Sequence, residues 1–356
     1  MKARAFDKAT TIERAKLTDV ARVANVSLAT ASRVLNQPVI VSPEVRERVL
    51  AAVQALSYTP DRMARALSSG RSFIVGAVVP TLGNAIFADG VEALQDRLSA
   101  LGYTLLLSNS QYDQQKELDQ VKALLEHGVD GLVLVGDTFK PELVSLIRQR
   151  GTPCVSTYGA ESRNGFPSIG IDNRAATYAL TRHLLDLGHR QFGVISNTAL
   201  SNDRSQARLA GIVEALTDFG LTLAAERIVE IEKPIIANGR AGLYRLLEIQ
   251  PDISAVVCTT DALAVGAVAA ARNLGREAPR DLSISGFDDV EIAAETDPPL
   301  TTVRVPASQI GRAAADNLVR AIQGEELPIN TLFEARIMIR GSTGDAPARL
   351  ASSADA

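Results

Sequence analysis

Cysteine is nearly absent: the 356 residues contain two, Cys154 in "TPCVSTY" and Cys258 in "SAVVCTTD". Neither has CxxC or metal-ligand spacing, and both lie in apolar, strand-like runs. They are expected as buried reduced thiols, not as a disulfide or a metal site. Tryptophan is missing and histidine is rare, with only His127, His183 and His189. His127 in "EHG" and His189 in "GHR" stand near expected helix ends, where a structural role is the better reading. No apolar run approaches the roughly 18–20 residues that a membrane span needs. The opening stretch "MKARAFDKATTIERAKL" has no apolar h-region, so it reads as a polar, disordered tail over 1–16 and not as a secretory signal. The cytoplasm is the expected compartment. GxSxG, the P-loop, GxGxxG after a strand and HExxH are all missing. No catalytic residue, no metal and no cofactor is therefore expected, and the reading is not an enzyme.

Charge is present but uneven. The net charge is −4. Residues 1–71 hold twelve Lys or Arg against six Asp or Glu, a net of +6, while the remainder holds 25 against 35, a net of −10. A basic head on an acidic body suggests that only the head meets a polyanion.

The head reads as all helical. "LTDVARVAN" opens with a capping-type Thr18 and puts Val20, Ala21 and Ala24 on one side. Asn25-Val26 makes a tight turn, Ser27 is placed to N-cap the next helix, and Val26 can staple against Ala31. "SPEVRERVLAAVQALSY" is a third helix, capped by Ser42, with Pro43 at its first position and Val45, Val49, Val53 and Leu56 on one face. Helix, short turn, helix, supporting helix is the helix-turn-helix layout. In "VSLATASRVLN" the 3.6-residue period gathers Ala31, Val34 and Leu35 on one face, and Leu28, Ala29, Ser32, Arg33 and Asn36 on the other. An apolar pair on the outer face beside an arginine is odd for a solvated helix. The stretch 17–59 is assigned to this head. Residues 60–72, "PDRMARALSSGRS", read as a linker that is helical only when something holds it.

From Phe73 the pattern alternates strands and helices. Short apolar runs occur at 73–80, 103–109, 131–136, 153–157, 191–196, 227–231, 254–259 and 281–287, with amphipathic stretches between them. Such runs imply parallel sheets covered on both faces. Eight strands with a break near "GAESRNGFPSIGIDN" suggest two α/β lobes over 73–340. "LTTVRV" and a closing helix at 307–323 are expected to cross back to the first lobe. The tail 341–356, small and polar, is expected to be disordered.

Ligands of open α/β sheets bind at the carboxyl ends of the strands, which places a site in the cleft between two lobes. The candidates there are Asn84, Phe87, Asp113, Asp203, Arg204, Arg208, Asp261 and Asp288. Carboxylates accept from hydroxyls, guanidinium offers a fixed donor fork and an aromatic ring stacks on an apolar face, a mixture that suits a sugar or another hydroxylated metabolite. A solute receptor without DNA function, or an enzyme on a doubly wound fold, would share the body. Neither accounts for the head.

The stretch "LTDVARVANVSLATASRVLNQPVIVSPEVRERVLAAVQALSYTPDRMARAL" closely resembles the DNA-binding head of the LacI/GalR family of bacterial transcription regulators. The resemblance continues through "IDNRAATYALTRHLLDLGHR", "RLAGIVEAL", "TTDALAVGAVAAARNLG", "DLSISGFDD" and "PPLTTVRVP", and covers residues 17 to about 343. It implies an α/β architecture: a helix-turn-helix head with a hinge helix, then a two-lobed periplasmic-binding-protein-like core of parallel sheets. It also implies a homodimer on pseudo-palindromic operator DNA, controlled by a small-molecule effector, most often as a repressor, with no membrane partner. Leu28 and Ala29 match the main specificity pair. Ser27, Ser32, Arg33 and Asn36 match groove or phosphate contacts, and Thr18, Ser42 and Tyr58 match backbone contacts. Leu67 matches the hinge leucine that wedges into the minor groove. In the core, Phe87, Arg208 and Asp261 match ligand-contacting positions, and Arg204 is a looser transfer. Where many relatives have Val in "ATVSRVLN", this chain has the smaller Ala31 at a core position.

Overall fold

The computed structural model describes residues 15–36, 41–59, 70–197 and 202–347. The chain divides into two compact units, Met1–Ser72 and Phe73–Ala356.

The described residues of the first unit form three helices, α1 (Leu17–Val23), α2 (Leu28–Asn36) and α3 (Pro43–Ala55). Val20, Ala24, Val34, Val49 and Ala52 form its buried centre, with Leu17, Val26, Val45, Val53, Leu56 and Tyr58 packed around them. Ala31 is fully buried beside them. The turn from α1 to α2 passes through Asn25 at φ 52°, a conformation that Asn tolerates better than most residues. Two capping expectations need correction. Thr18 lies inside α1, whose N-cap is Lys16; the first turn is closed by Asp19, which accepts from the Lys16 N–H at 3.0 Å. Ser42 holds the N-cap position of α3, but its side chain makes no capping bond, and Pro43 at the first position removes one of the unpaired donors instead. The hinge assignment over 60–69, Leu67 included, lies outside the described residues.

The second unit has two lobes, each a parallel sheet between helices. In the first lobe, strands β1 (Ile74–Val79), β2 (Thr104–Asn109), β3 (Gly131–Val135), β4 (Cys154–Thr157), β5 (Ser168–Gly170) and β11 (Asn330–Leu332) lie in the order β11-β5-β4-β3-β1-β2. Val75 pairs with Leu105 on one side and Gly131 on the other. Helices α4 (Ala85–Ala100), α5 (Gln114–Glu126) and α6 (Pro141–Arg150) connect these strands. The runs "IVGAVV" and "GLVLV" are almost wholly buried, which is what coverage on both faces requires. In the second lobe, β6 (Phe192–Ser196), β7 (Ile228–Glu230), β8 (Ala255–Cys258) and β9 (Ser283–Ser285) lie in the order β7-β6-β8-β9. Helix α7 (Asn173–Asp186) leads into β6, and α8 (Asp203–Asp218), α9 (Ile236–Ile249) and α10 (Asp261–Asn273) join the four strands. A single turn, α11 (Ile292–Glu295), precedes β10 (Thr302–Arg304).

The closing helix α12 (Ala307–Ile322) packs on α4 of the first lobe, as the sequence suggests. The two helices touch where Gly311 meets Gly90: a Cβ on Gly311 would sit 2.1 Å from the Gly90 carbonyl oxygen. β10 joins neither main sheet. It pairs antiparallel with β12 (Arg336–Met338), with Thr302 opposite Met338. The chain therefore passes between the lobes three times: at Ile171–Asp172, at Val305–Pro306, and between β11 and β12.

The supposed break near "GAESRNGFPSIGIDN" contains β5, which is too short to show as an apolar run. The expectation of a disordered tail from Gly341 is also corrected. Ser342 is fully buried; its hydroxyl donates to the Ile284 carbonyl at 2.6 Å and accepts from the Thr301 N–H at 2.8 Å. Ala346 then donates to the Leu187 carbonyl at 2.9 Å. These bonds stitch the chain end to the second lobe through at least Ala346, and small polar residues are the ones that fit such a seam. His189 has the structural role expected of it, buried with its ring nitrogens 2.9 Å from Ser254 Oγ and 3.0 Å from the Gly344 carbonyl. Cys154 and Cys258 are both free and buried. Among the described residues, no helix is long and apolar enough to cross a membrane.

Candidate functional site

In the head, α2 shows its outer face to solvent. Ser27 caps it: its hydroxyl accepts from the Thr30 N–H at 3.0 Å and sits 2.8 Å from the Thr30 hydroxyl. That cap fixes where the helix begins, and so which residues point out. Leu28 is 49% exposed, Ala29 and Arg33 are exposed, and Ser32 is half-buried. Asn36 is the last residue of α2. Thr18 on α1 and Ser42 before α3 are exposed, and Tyr58 is half-buried against the head core.

In the core, the C-terminal ends of the strands of both lobes face one cleft. It is lined by Asn84, Ile86, Phe87, Tyr112 and Tyr158 from the first lobe, and by Asn202, Arg204, Ser205, Arg208, Thr260 and Asp288 from the second. The lobes are closed on it, leaving about 20 Å³, room for one water.

Each side chain is placed by local structure. Asn84 N-caps α4 and accepts from the Ile86 N–H at 3.4 Å; its side chain shares the cavity with Asp288 of the opposite lobe. Phe87, one turn on, meets Tyr158 edge to face at 5.3 Å, and the Tyr158 hydroxyl donates to the Ile86 carbonyl at 3.0 Å. Arg204 and Arg208 lie one turn apart on the same face of α8, whose N-cap is Asn202. Arg208 is buried. It donates to Asn173 Oδ1 at 2.9 Å and to the Thr259 carbonyl at 2.6 Å, lies 3.5 Å from Asp288 Oδ1, and stacks on the Phe287 ring at 3.7 Å. Burial lifts Asp288 to about 6, although the Arg208 charge and the Asn84 amide pull the other way.

Asp203 and Arg204 also join the lobes. Asp203 Oδ2 accepts from the Asp137 N–H at 2.6 Å, across the cleft from the loop after β3. Its other oxygen accepts from Arg204 at 2.7 Å. The preceding residue in that loop is Gly136 at φ 84°, and a Cβ there would lie 2.1 Å from Arg204 Nη1. The approach is possible only without a side chain. Glu117 of α5 is buried nearby; burial lifts its carboxyl to about 7, Asp203 adds to that rise, and Arg204 opposes it.

The structure thus brings together Asn84, Phe87, Arg204, Arg208 and Asp288, as the sequence suggested. Asp261 is a correction. It is not among the residues lining the cleft; its carboxylate turns back under the loop after β9, accepting from Thr302 Oγ1 at 2.5 Å and from the Val290 N–H at 2.9 Å. Burial first, and the nearby Asp288 charge second, push it up to about 8. Its neighbour Thr260, the N-cap of α10, lines the cleft in its place. Asp113 caps α5 by accepting from Gln115 and Lys116 N–H, while its neighbour Tyr112 lines the cleft. Tyr112, Tyr158, Asn202, Ser205 and Thr260 were not singled out from sequence. A rule favouring the residues just after strands would have reached Tyr158 and Thr260.

Residues 16–61 match the family described as bacterial regulatory proteins, lacI family, and residues 181–343 match the periplasmic binding protein-like domain. The chain is 32% identical to the catabolite control protein A of Priestia megaterium, covering 91% of this chain and 98% of that protein. It is 36% identical to the transcriptional regulator MalR of Streptomyces coelicolor, covering 93% and 97%. Among solved structures, the lac repressor dimer bound to operator and the anti-inducer ONPF superposes with a TM-score of 0.82 at 28% identity, over 93% of this chain and all of that one. The chain belongs to the lacI family of bacterial regulatory proteins, DNA-binding transcription regulators that act as dimers on operator DNA and carry a small-molecule effector in the core, and it is not an enzyme.

Proposed function

We propose that this regulator is a cytoplasmic, nucleoid-associated repressor whose effector is a sugar or sugar derivative held between the two lobes. The observation that carries the effector reading is the cleft itself: Arg208 and Asp288 of one lobe, 3.5 Å apart, line a single cavity with Asn84 and Phe87 of the other. A fixed donor fork, a carboxylate acceptor, an amide and an aromatic face are the groups that recognise a hydroxylated ring. Asn84, Phe87, Arg204, Arg208 and Asp288 make the contacts, and Asp261 supports the loop that carries Asp288. In the head, Leu28 and Ala29 read shape and thymine methyl groups, because neither side chain hydrogen-bonds. Arg33 donates twice to a guanine edge. Ser27, Ser32 and Asn36 complete the contacts from α2, Thr18, Ser42 and Tyr58 hold the phosphates, and Leu67 wedges at the centre of a pseudo-palindrome. Residues 17–59 are the reading head, 60–72 the hinge, and the remaining core holds the effector and the dimer contacts.

The test is a selection of duplexes from a random pool by the full chain, repeated with each of a panel of pentoses, hexoses, hexitols and aldonates. The expected result is a two-half-site consensus whose affinity one panel member changes at least tenfold. Enrichment of no consensus would refute the DNA assignment, and a consensus unmoved by every sugar would refute the effector class.

A further inference from the structure

Asp288 follows β9 after Gly286 and Phe287, and the backbone there is unusual. Asp288 has φ 118° and Asp289 φ 55°. Two successive non-glycine residues in that half of φ space are strained, and persist only where their surroundings over-determine them. Here the surroundings are specific. The Asp288 N–H donates to the Val303 carbonyl at 2.9 Å, and its own carbonyl accepts from the Val305 N–H at 3.3 Å. The Asp289 carboxylate, with its side chain 4% exposed, is gripped on both oxygens: Arg304 Nε donates to Oδ2 at 2.6 Å, and Arg340 Nη2 forms an ion pair with Oδ1 at 2.7 Å. Arg340 is itself held, donating through Nη1 to the Leu300 carbonyl at 2.9 Å and through its N–H to Thr301 Oγ1 at 2.9 Å. On the far side, the Val290 N–H is fixed by Asp261.

The two arginines matter because of where they lie. Arg304 is the last residue of β10, just before the second passage between the lobes, and Arg340 follows β12, just after the third. Asp289 therefore joins the loop that carries Asp288 to both of these strands. An exposed ion pair holds little by itself, but this carboxylate is buried and meets two guanidinium donors, which fixes direction as well as position.

We propose that Asp289 is the positioning residue of the effector cleft: gripped by Arg304 and Arg340 beside the crossovers, it holds Asp288 in its strained conformation with the carboxylate aimed at Arg208 and Asn84, and so couples that aim to the passages between the lobes. The proposal rests on the cleft being the effector site. A merely structural ion pair would support the second lobe without setting affinity.

The test compares the full chain with its Asp289→Asn variant, using D-glucose, D-ribose, D-sorbitol and D-gluconate as probes by calorimetry, and amide exchange over 286–290 by mass spectrometry. The expected result is at least a tenfold loss of affinity for any probe the native chain binds. Exchange over 286–290 should rise at least tenfold while β6 and β8 stay as protected as before. Affinity within twofold of the native chain would overturn the proposal. If the native chain binds none of the four, the cleft reading fails for those probes, and exchange alone decides: a rise confined to 286–290 supports the positioning role, and native-like protection there, or a loss that spreads to β6 and β8, overturns it. Should Asp289→Asn fail to fold, Arg304→Met removes one grip from an exposed side chain and is expected to give a smaller loss, about threefold; no change in affinity or exchange would again overturn the proposal.

Discussion

Replacing Arg208 by Met is the sharpest probe of the core. Met keeps most of the side-chain volume and its contact with the Phe287 ring, so packing is changed little. The losses are polar. Asn173 Oδ1 and the Thr259 carbonyl each lose a charged donor, and Asp288 loses the guanidinium 3.5 Å away. Removing one partner of a buried pair costs about 3–5 kcal/mol, because the other charge is left uncompensated. At about 2–4 °C per kcal/mol for a unit of this size, the core should melt roughly 6–20 °C lower at pH 7.5. The loss should shrink on acidification. The Asp288 carboxyl is already raised to about 6 by burial, with Arg208 holding it down. Without Arg208 it rises further, so its stabilising protonated form is complete at low pH and is lost as pH rises through the new value. Melting followed by calorimetry at pH 5 and pH 7.5 reads both effects. The double variant Arg208→Met with Asp288→Asn should recover part of the loss, since no charge is then stranded. A single variant melting within about 2 °C of the native chain at pH 7.5, or a deficit larger at pH 5, would refute the reasoning.

Three further outcomes are expected. Glu117→Gln should match the native melting temperature at pH 5 and exceed it at pH 8: the native carboxyl, raised from 4.5 to about 7, stabilises below 4.5 and loses that contribution as pH climbs through 7. Equal differences at both pH values would contradict this. Gly136→Ala should lower the core melting temperature by several degrees, because an alanine at φ 84° costs about 1–2 kcal/mol and its Cβ meets Arg204; a native-like melt would show that the lobes do not close there. Arg33→Ala should relax one base position in a binding selection, a loss of about 1–3 kcal/mol of discrimination, and an unchanged consensus would remove Arg33 from base reading.

Much of this protein is set by local chemistry, and that part is readable along the chain. Ser27 caps α2 and Pro43 opens α3 because those residues serve helix starts wherever they fall. The Val- and Leu-rich runs become parallel strands because helices cover both faces. Arg204 and Arg208 share a cleft because a helix brings residues four apart onto one face. The apolar pair Leu28 and Ala29 points outward because the cap fixes the helical phase. What the sequence could not determine depends on groups far apart in the chain. Whether an aspartate at a helix start faces the cleft or the loop beneath it was decided for Asp261 by Thr302 and Val290, some thirty to forty residues downstream. The polar end of the core stays packed because Ser342 finds Ile284 and Thr301. Tyr112 and Tyr158 join the cleft only because β2 and β4, which they follow, lie in one parallel sheet with β1, which Asn84 follows, so that all three residues come out at the same end. Hydrogen bonds over such distances leave no periodic trace, so only the folded chain reveals them.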